Sequence, residues 1–188
     1  MKQTYYPANT FQAKSWAKGT TTELVKYPLD SDFLKRDFIF RISTATVEAE
    51  ESTFSDFSGL TRILMILEGT LTLIHEGRYQ KHLNPYDQDT FDGSWSTRSR
   101  GKVRDFNVML NEQTKGDVRA FQLKSMQKEN VSISQKRVVF FIHTGQFRLE
   151  EQLLETGSVL DIEDCEWTSI QLTCIESGVI LCSQVEVF

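Results

Sequence analysis

Arg62-Ile63-Leu64-Met65-Ile66-Leu67-Glu68-Gly69-Thr70-Leu71-Thr72-Leu73 is the stretch whose reading decides the fold. Ile63 to Leu67 is a continuous apolar run too short for a buried helix, so it reads as a buried strand. Gly69 supplies a turn, and Leu71 and Leu73 then alternate with Thr70 and Thr72, as a half-buried strand does. The same order returns in Arg137-Val138-Val139-Phe140-Phe141-Ile142-His143-Thr144-Gly145-Gln146-Phe147-Arg148-Leu149. Gly69 matches Gly145 and Leu73 matches Leu149. Each copy is followed by a second turn, Leu83-Asn84-Pro85-Tyr86-Asp87 in the first and Leu154-Glu155-Thr156-Gly157-Ser158 in the second. Repetition on this scale points to duplicated β units.

The rest of the chain agrees. Phe38, Phe40 and Ile42 alternate with Ile39, Arg41 and Ser43. Turn pairs such as Ser58-Gly59, Glu76-Gly77, Asp92-Gly93 and Ser177-Gly178 punctuate the runs. No stretch keeps helical periodicity beyond a turn or two. Many short strands at this spacing predict an all-β sandwich or barrel.

Composition narrows the function. The chain has 188 residues and a net charge of −5, which argues against binding nucleic acid through a general excess of Lys and Arg. Arg98, Arg100, Lys102 and Arg104 recur at every second position and are read as the charged outer face of one extended strand. Met1 to Trp16 is polar, without an apolar leader core, and no run approaches ~18 apolar residues. The expectation is a soluble, cytoplasmic protein without a membrane partner. Cys165, Cys174 and Cys182 are odd in number and lack CxxC spacing, so neither disulfides nor zinc is expected. Cys174 and Cys182 lie in apolar runs and read as small core residues.

An apolar strand ending Leu67-Glu68-Gly69, an alternating strand and Leu83-Asn84-Pro85-Tyr86-Asp87 are similar to the core of cupins. Four further segments resemble the HutD/Ves family of bicupins. They are Trp16-Ala17-Lys18-Gly19-Thr20-Thr21-Thr22-Glu23-Leu24, Phe40-Arg41-Ile42-Ser43-Thr44-Ala45, Phe54-Ser55-Asp56-Phe57-Ser58-Gly59-Leu60-Thr61-Arg62 and Asp105-Phe106-Asn107-Val108-Met109. They occur in the family's order, with Ala17 and Lys18 standing where the family is usually Gly-rich. The resemblance implies two jelly-roll barrel halves packed together, residues 1–103 and 104–188, with strands free to exchange between them. It also implies a role beside histidine-degradation enzymes, sensing or buffering a pathway intermediate, and it carries over no established catalytic activity.

A metal-binding cupin supplies His-x-His, a Glu seven residues before the turn glycine, and a later His. With Gly69 as that glycine, the Glu position holds Arg62, and Ser55 to Ser58 contain no His. A guanidinium is not an ordinary metal ligand, so no metal and no other cofactor is expected. It is a fork of donors for a carboxylate or phosphate. Arg41 shares parity with the small residues Ser43 and Ala45, Asp105 and Asn107 share a face, Glu23 lies near Thr21 at the mouth, and Trp16 offers an apolar or cation–π wall. The candidate ligand-binding set is therefore Arg62, Arg41, Ser43, Trp16, Glu23, Asp105 and Asn107, with no catalytic residue assigned. The competing account is structural: Arg41 paired with Glu23 or Asp105 would tie two strands together. Val138 stands at the equivalent place in the second half and reads as core. His75 and His82 flank a turn and are expected at the surface, and His143 is expected to point out of its barrel.

Three readings follow. The first is a non-enzymatic binding protein for a small anionic metabolite, N-formylglutamate or a similar acid by the family's implication, with a regulatory or sensing role. The second is a metal-free cupin isomerase or lyase acting on a small acid or sugar, with Glu23 or Asp105 doing acid–base work. The third is an oligomeric scaffold, and a homodimer fits any of the three.

Overall fold

A computed structural model describes residues 1–188. The strands in chain order are β1 (Lys2–Tyr6), β2 (Ala13–Trp16), β3 (Gly19–Tyr27), β4 (Phe40–Val47), β5 (Glu51–Thr53), β6 (Leu60–Gly69), β7 (Leu71–His75), β8 (Tyr79–Leu83) and β9 (Gln88–Asp92). They continue with β10 (Thr97–Arg100), β11 (Val103–Asn111), β12 (Thr114–Leu123), β13 (Lys128–Ser132), β14 (Arg137–Leu149), β15 (Gln152–Glu155), β16 (Val159–Glu163) and β17 (Ser169–Val187). The only helical element is a 3-10 turn, Ala8–Thr10. No helix is long and apolar enough to cross a membrane. The protein is all-β with antiparallel sheets.

The chain forms two compact units, one of Gln12–Thr114 and one of Met1–Phe11 with Lys115–Phe188. This differs from a division at 103/104. β11 pairs with β4 on one edge and β6 on the other, so it is an inner strand of the first unit and leaving would unpair both neighbours. β1 pairs with β16 and so belongs with the second unit.

In the first unit a six-stranded sheet, β2-β3-β4-β11-β6-β9, and a four-stranded sheet, β5-β10-β7-β8, share one core. Leu64, Ile66, Phe91 and Val103 from the larger sheet pack with Leu71, Leu73 and Leu83 from the smaller. A second small cluster, Phe38, Leu60 and Met109, closes the other end with Phe33 and Phe57. The basic run at 98–104 is not one strand: β10 ends at Arg100, Gly101 turns the chain at φ 123°, and β11 starts at Val103. Each of its four cations meets a glutamate, Arg98 with Glu76, Arg100 with Glu51, Lys102 with Glu50 and Arg104 with Glu68. Such exposed pairs contribute on the order of 0–1 kcal/mol each.

The matched glycines are corners. Gly69 and Gly145 both sit at φ 81°. A Cβ on Gly69 would strike the carbonyl of Lys102, and one on Gly145 would press on Gly178 across the sheet. The chain can therefore bend there only with a bare backbone.

In the second unit β14 and β17 are long strands that run through irregular pairings near Gly145 and join the order β1-β16-β14-β17-β12. Val138, Phe140, Ile142, Leu160, Ile162, Leu172 and Ile180 fill its core, together with Cys174 and Cys182. All three cysteines are free and buried. His143 lies with Val139 and Phe141 on the face turned away from that core, and all three are buried.

His75 is a correction to the surface expectation. Two-residue periodicity that buries Leu71 and Leu73 carries His75 inward as well, and it is 2% exposed. Its Nδ1 lies 2.8 Å from Thr97 Oγ1 on β10, and its Nε2 lies 3.0 Å from Asp89 Oδ2 on β9. Asp89 also accepts from Tyr79 Oη and Lys81 Nζ. The imidazole thus clasps the two sheets, with Tyr79, Phe91 and Trp95 around the ring. His82 is exposed. Three outcomes are expected in urea denaturation. His75→Ala lowers stability by about 2–4 kcal/mol because it takes one hydrogen-bond partner from each of buried Asp89 and Thr97 and empties the space among Tyr79, Phe91 and Trp95, whereas His82→Ala stays within about 0.5 kcal/mol. Gly69→Ala lowers it by roughly 2–3 kcal/mol, since left-handed strain and a backbone clash add.

Candidate functional site

On β6 the side chains Leu60, Arg62, Leu64 and Ile66 share the inner face. On β11 the inner face carries Val103, Asp105, Asn107 and Met109. On β4 it carries Arg41, Ser43, Ala45 and Val47. Leu60, Leu64, Ile66, Val103 and Met109 of these rows belong to the apolar clusters and Val47 packs against one, but Arg62, Asp105, Asn107, Arg41 and Ser43 between them are buried and polar. Register brings them level, because Asp105 pairs with Ala45, Asn107 with Ser43, and Met109 with both Arg41 and Arg62. Between the clusters lies a cavity of about 420 Å³, walled by these residues together with Trp16, Thr21, Glu23, Phe33, Phe54 and Phe57. All seven candidate residues line it.

The two arginines are held differently. Arg41 Nε donates to Glu23 Oε2 at 2.8 Å and its Nη1 donates to Ser43 Oγ at 3.0 Å. Glu23 also meets Lys26 Nζ at 3.4 Å. Arg62 makes one hydrogen bond, from Nη2 to Asn107 Oδ1 at 2.9 Å, and its Nε is buried without a partner. Asn107 Nδ2 in turn donates to Asp105 Oδ1. So Arg41 is ion-paired to Glu23, whereas Asp105 pairs with neither arginine and reaches Arg62 only through the Asn107 amide.

Aromatic rings take the place of counter-ions. Arg62 lies over Phe54 at 4.7 Å, Phe91 at 5.3 Å and Phe57 at 5.6 Å, and Arg41 lies over Phe33 at 4.5 Å. Trp16 lines the mouth at 42% exposure, but the cation–π contacts are made by phenylalanines. These partners were absent from the sequence-based set. Phe54 and Phe57 flank the Ser55-Asp56 step just before Arg62, and that spacing was the available signal. Nothing in local sequence tied Phe33 to Arg41.

Electrostatics follow from this packing. Burial lowers the Arg62 guanidinium to about 10, helped by the like charge of Arg41 and opposed by Asp105. Burial also raises the Asp105 carboxyl to about 7, against the charge of Arg62 and the amide hydrogen bonds of Asn107 and Ala45. Burial pushes Glu23 upward too, but the hydrogen bond and charge of Arg41, with Lys26, outweigh it and leave that carboxyl below its ordinary value. The interior thus holds a guanidinium with spare donors beside a carboxyl that is half-charged near neutrality.

A shallower depression of about 680 Å³ lies on the opposite face of the same sheet, with Thr20, Thr22, Thr44 and Thr46 along it. Its cations Lys102 and Arg104 are already matched by Glu50 and Glu68. The residues of the inner cavity do not fit a divalent metal: a guanidinium and an amide occupy its centre, and no three His, Cys, Asp or Glu side chains converge.

The fold is that of the cupin-like proteins it resembles. A conserved protein of unknown function from Pseudomonas aeruginosa PAO1 is similar at 21% identity and a TM-score of 0.85, over 99% of this chain and 100% of that one. HutD from Pseudomonas fluorescens SBW25 is similar at 20% identity and 0.78, over 100% of both. The bacterial pirin YhhW from Escherichia coli, solved in complex with nickel(II), is similar at 11% identity and 0.71, over 100% of both. No curated protein matches the chain by sequence. The HutD family profile matches residues 8–181. That span takes in Trp16, Glu23, Arg41, Ser43, Arg62, Asp105 and Asn107 together, and on this ground the chain belongs to the HutD family.

Proposed function

We propose that this protein is a cytoplasmic bicupin that binds a small anionic metabolite in the cavity of its first unit and serves a regulatory or sensing role in histidine utilisation. The observation that carries the reading is Arg62, buried in a cavity of about 420 Å³ with donors that no protein group accepts. That volume lies in the range of small-ligand sites, about 300–1,000 Å³. A carboxylate is the natural guest for an unsatisfied fork of donors, since a buried cation without a partner is costly. Arg41, anchored by Glu23, presents a second guanidinium on the same wall. An acid the size of N-formylglutamate fits this description, and the family's association with histidine breakdown favours it.

One observation favours the second reading, a metal-free isomerase or lyase. Asp105 changes charge near neutral pH inside the cavity, as a general base does. The readings part on turnover. A binding protein returns N-formylglutamate unchanged and without deuterium at Cα after incubation in heavy water, and an enzyme does not.

In a thermal-shift screen of small carboxylates, a true ligand at about 100 times its Kd adds about 2.7 kcal/mol of stability. Arg62→Ala is expected to keep the fold and abolish that shift. If Arg62 were instead one half of a structural pair, its removal would cost on the order of 3–5 kcal/mol. A large loss of stability with unchanged ligand affinity per folded molecule would sink the binding role.

A further inference from the structure

We propose that binding of an anion at Arg62 is coupled to uptake of one proton by Asp105, so that the cavity takes in its ligand as an anion plus a proton. The inference rests on the binding role proposed above and adds its regulation.

The arrangement of charges leads to it. Glu23, Arg41, Arg62 and Asp105 line the cavity, with Lys14 from β2 at its edge. At the mouth Glu23 is held by Arg41 from β4 and by Lys26 on its own strand. Asp105 on β11 makes no ion pair. It lies opposite Ala45 on β4 and Ile66 on β6, with Asn107 beside it on the same inner face of its own strand; Arg62 on β6 is the charge that acts on it, and its hydrogen-bond partners are amide N–H groups. The cavity therefore holds two guanidiniums, Arg41 with its charge taken up by Glu23, and Arg62 with no carboxylate in contact and joined to the Asp105 carboxyl only through the Asn107 amide.

An arriving carboxylate that accepts from Arg62 puts a second negative charge against the same cation. Two carboxylates beside one guanidinium in a dry site disfavour each other, and one of them takes a proton. Asp105 is the one that yields, because burial already holds it at about 7, whereas a free carboxylic acid in water titrates near about 4. The step balances simply: a proton from solvent forms an O–H bond on the Asp105 carboxylate, and the ligand keeps its charge for Arg62. The protonated carboxyl also gains a donor.

The sign of the pH dependence follows. Below about 7 Asp105 is already neutral, and affinity does not vary with pH from this source. Above it, each bound anion must recruit a proton, so affinity falls about tenfold per pH unit until the carboxyl of the complex also ionises. Linkage is reciprocal, so the ligand raises the Asp105 pKa by the same free energy by which a proton favours the ligand.

Isothermal titration calorimetry with N-formylglutamate, in buffers of differing ionisation enthalpy, tests this. At about pH 8 the heats are expected to report uptake of nearly one proton per bound anion, and at about pH 5.5 almost none. Asp105→Asn removes the buffer dependence at about pH 8. Binding whose heat at that pH is the same in every buffer overturns the proton coupling and leaves the binding role standing. No heat with N-formylglutamate, succinate or formate at either pH overturns the binding role on which the coupling rests.

Discussion

The guanidinium of Arg62 is out of water, between two sheets, with one hydrogen bond and no carboxylate in contact. An isolated buried charge costs several kcal/mol even after relaxation, so the surroundings must supply what solvent would have. Three phenyl faces lie at 4.7–5.6 Å. The Asn107 amide is oriented with its oxygen toward the cation, and that orientation is held because its nitrogen is engaged by Asp105. Asp105 stays on the edge of ionisation because full charge without a paired cation would be another buried cost. Polarity at the centre of this unit is thus a chain of dependencies that starts from a single residue at inward parity on β6.

Much of this was legible from local pattern. Alternation at Leu71 and Leu73, the short run Ile63–Leu67 and the turn glycines predicted strands that the structure contains. Arg62 is readable because Leu60 and Leu64 on either side must face inward, which drags Arg62 with them. The same logic applied to His75 buries it with Leu71 and Leu73, whereas the sequence reading placed it at the surface from its position beside the Glu76-Gly77 turn. Partners fixed by sheet closure were not legible. Asp89 comes to His75, and Phe33 to Arg41, only when strands distant in sequence meet. The Asp105–Met109 strand was legible, but its start was not: the basic run read as one strand, and Gly101 divides it between β10 and β11 in different sheets.

The two units turn their chains at matched glycines and fill their interiors in opposite ways. Where the first has Arg62 in a polar row, the second has Val138 among buried aliphatic, aromatic and cysteine side chains. A core of that kind packs densely and offers no recognition chemistry, whereas the polar row gives up burial to gain a cavity. Departures from consistent patterning tend to mark functional positions, and in this chain they concentrate in the first unit.

Phe91 belongs to two neighbourhoods. Its ring touches the His75 imidazole at 4.7 Å on one side and lies 5.3 Å from the Arg62 carbon on the other. Phe54 is similarly shared, since its amide donates to the Thr97 carbonyl while its ring faces Arg62. The clasp between the sheets and the wall of the cavity are therefore the same seam. Loss of the contacts at this seam would thus unpack the His75 clasp and the rings over Arg62 together.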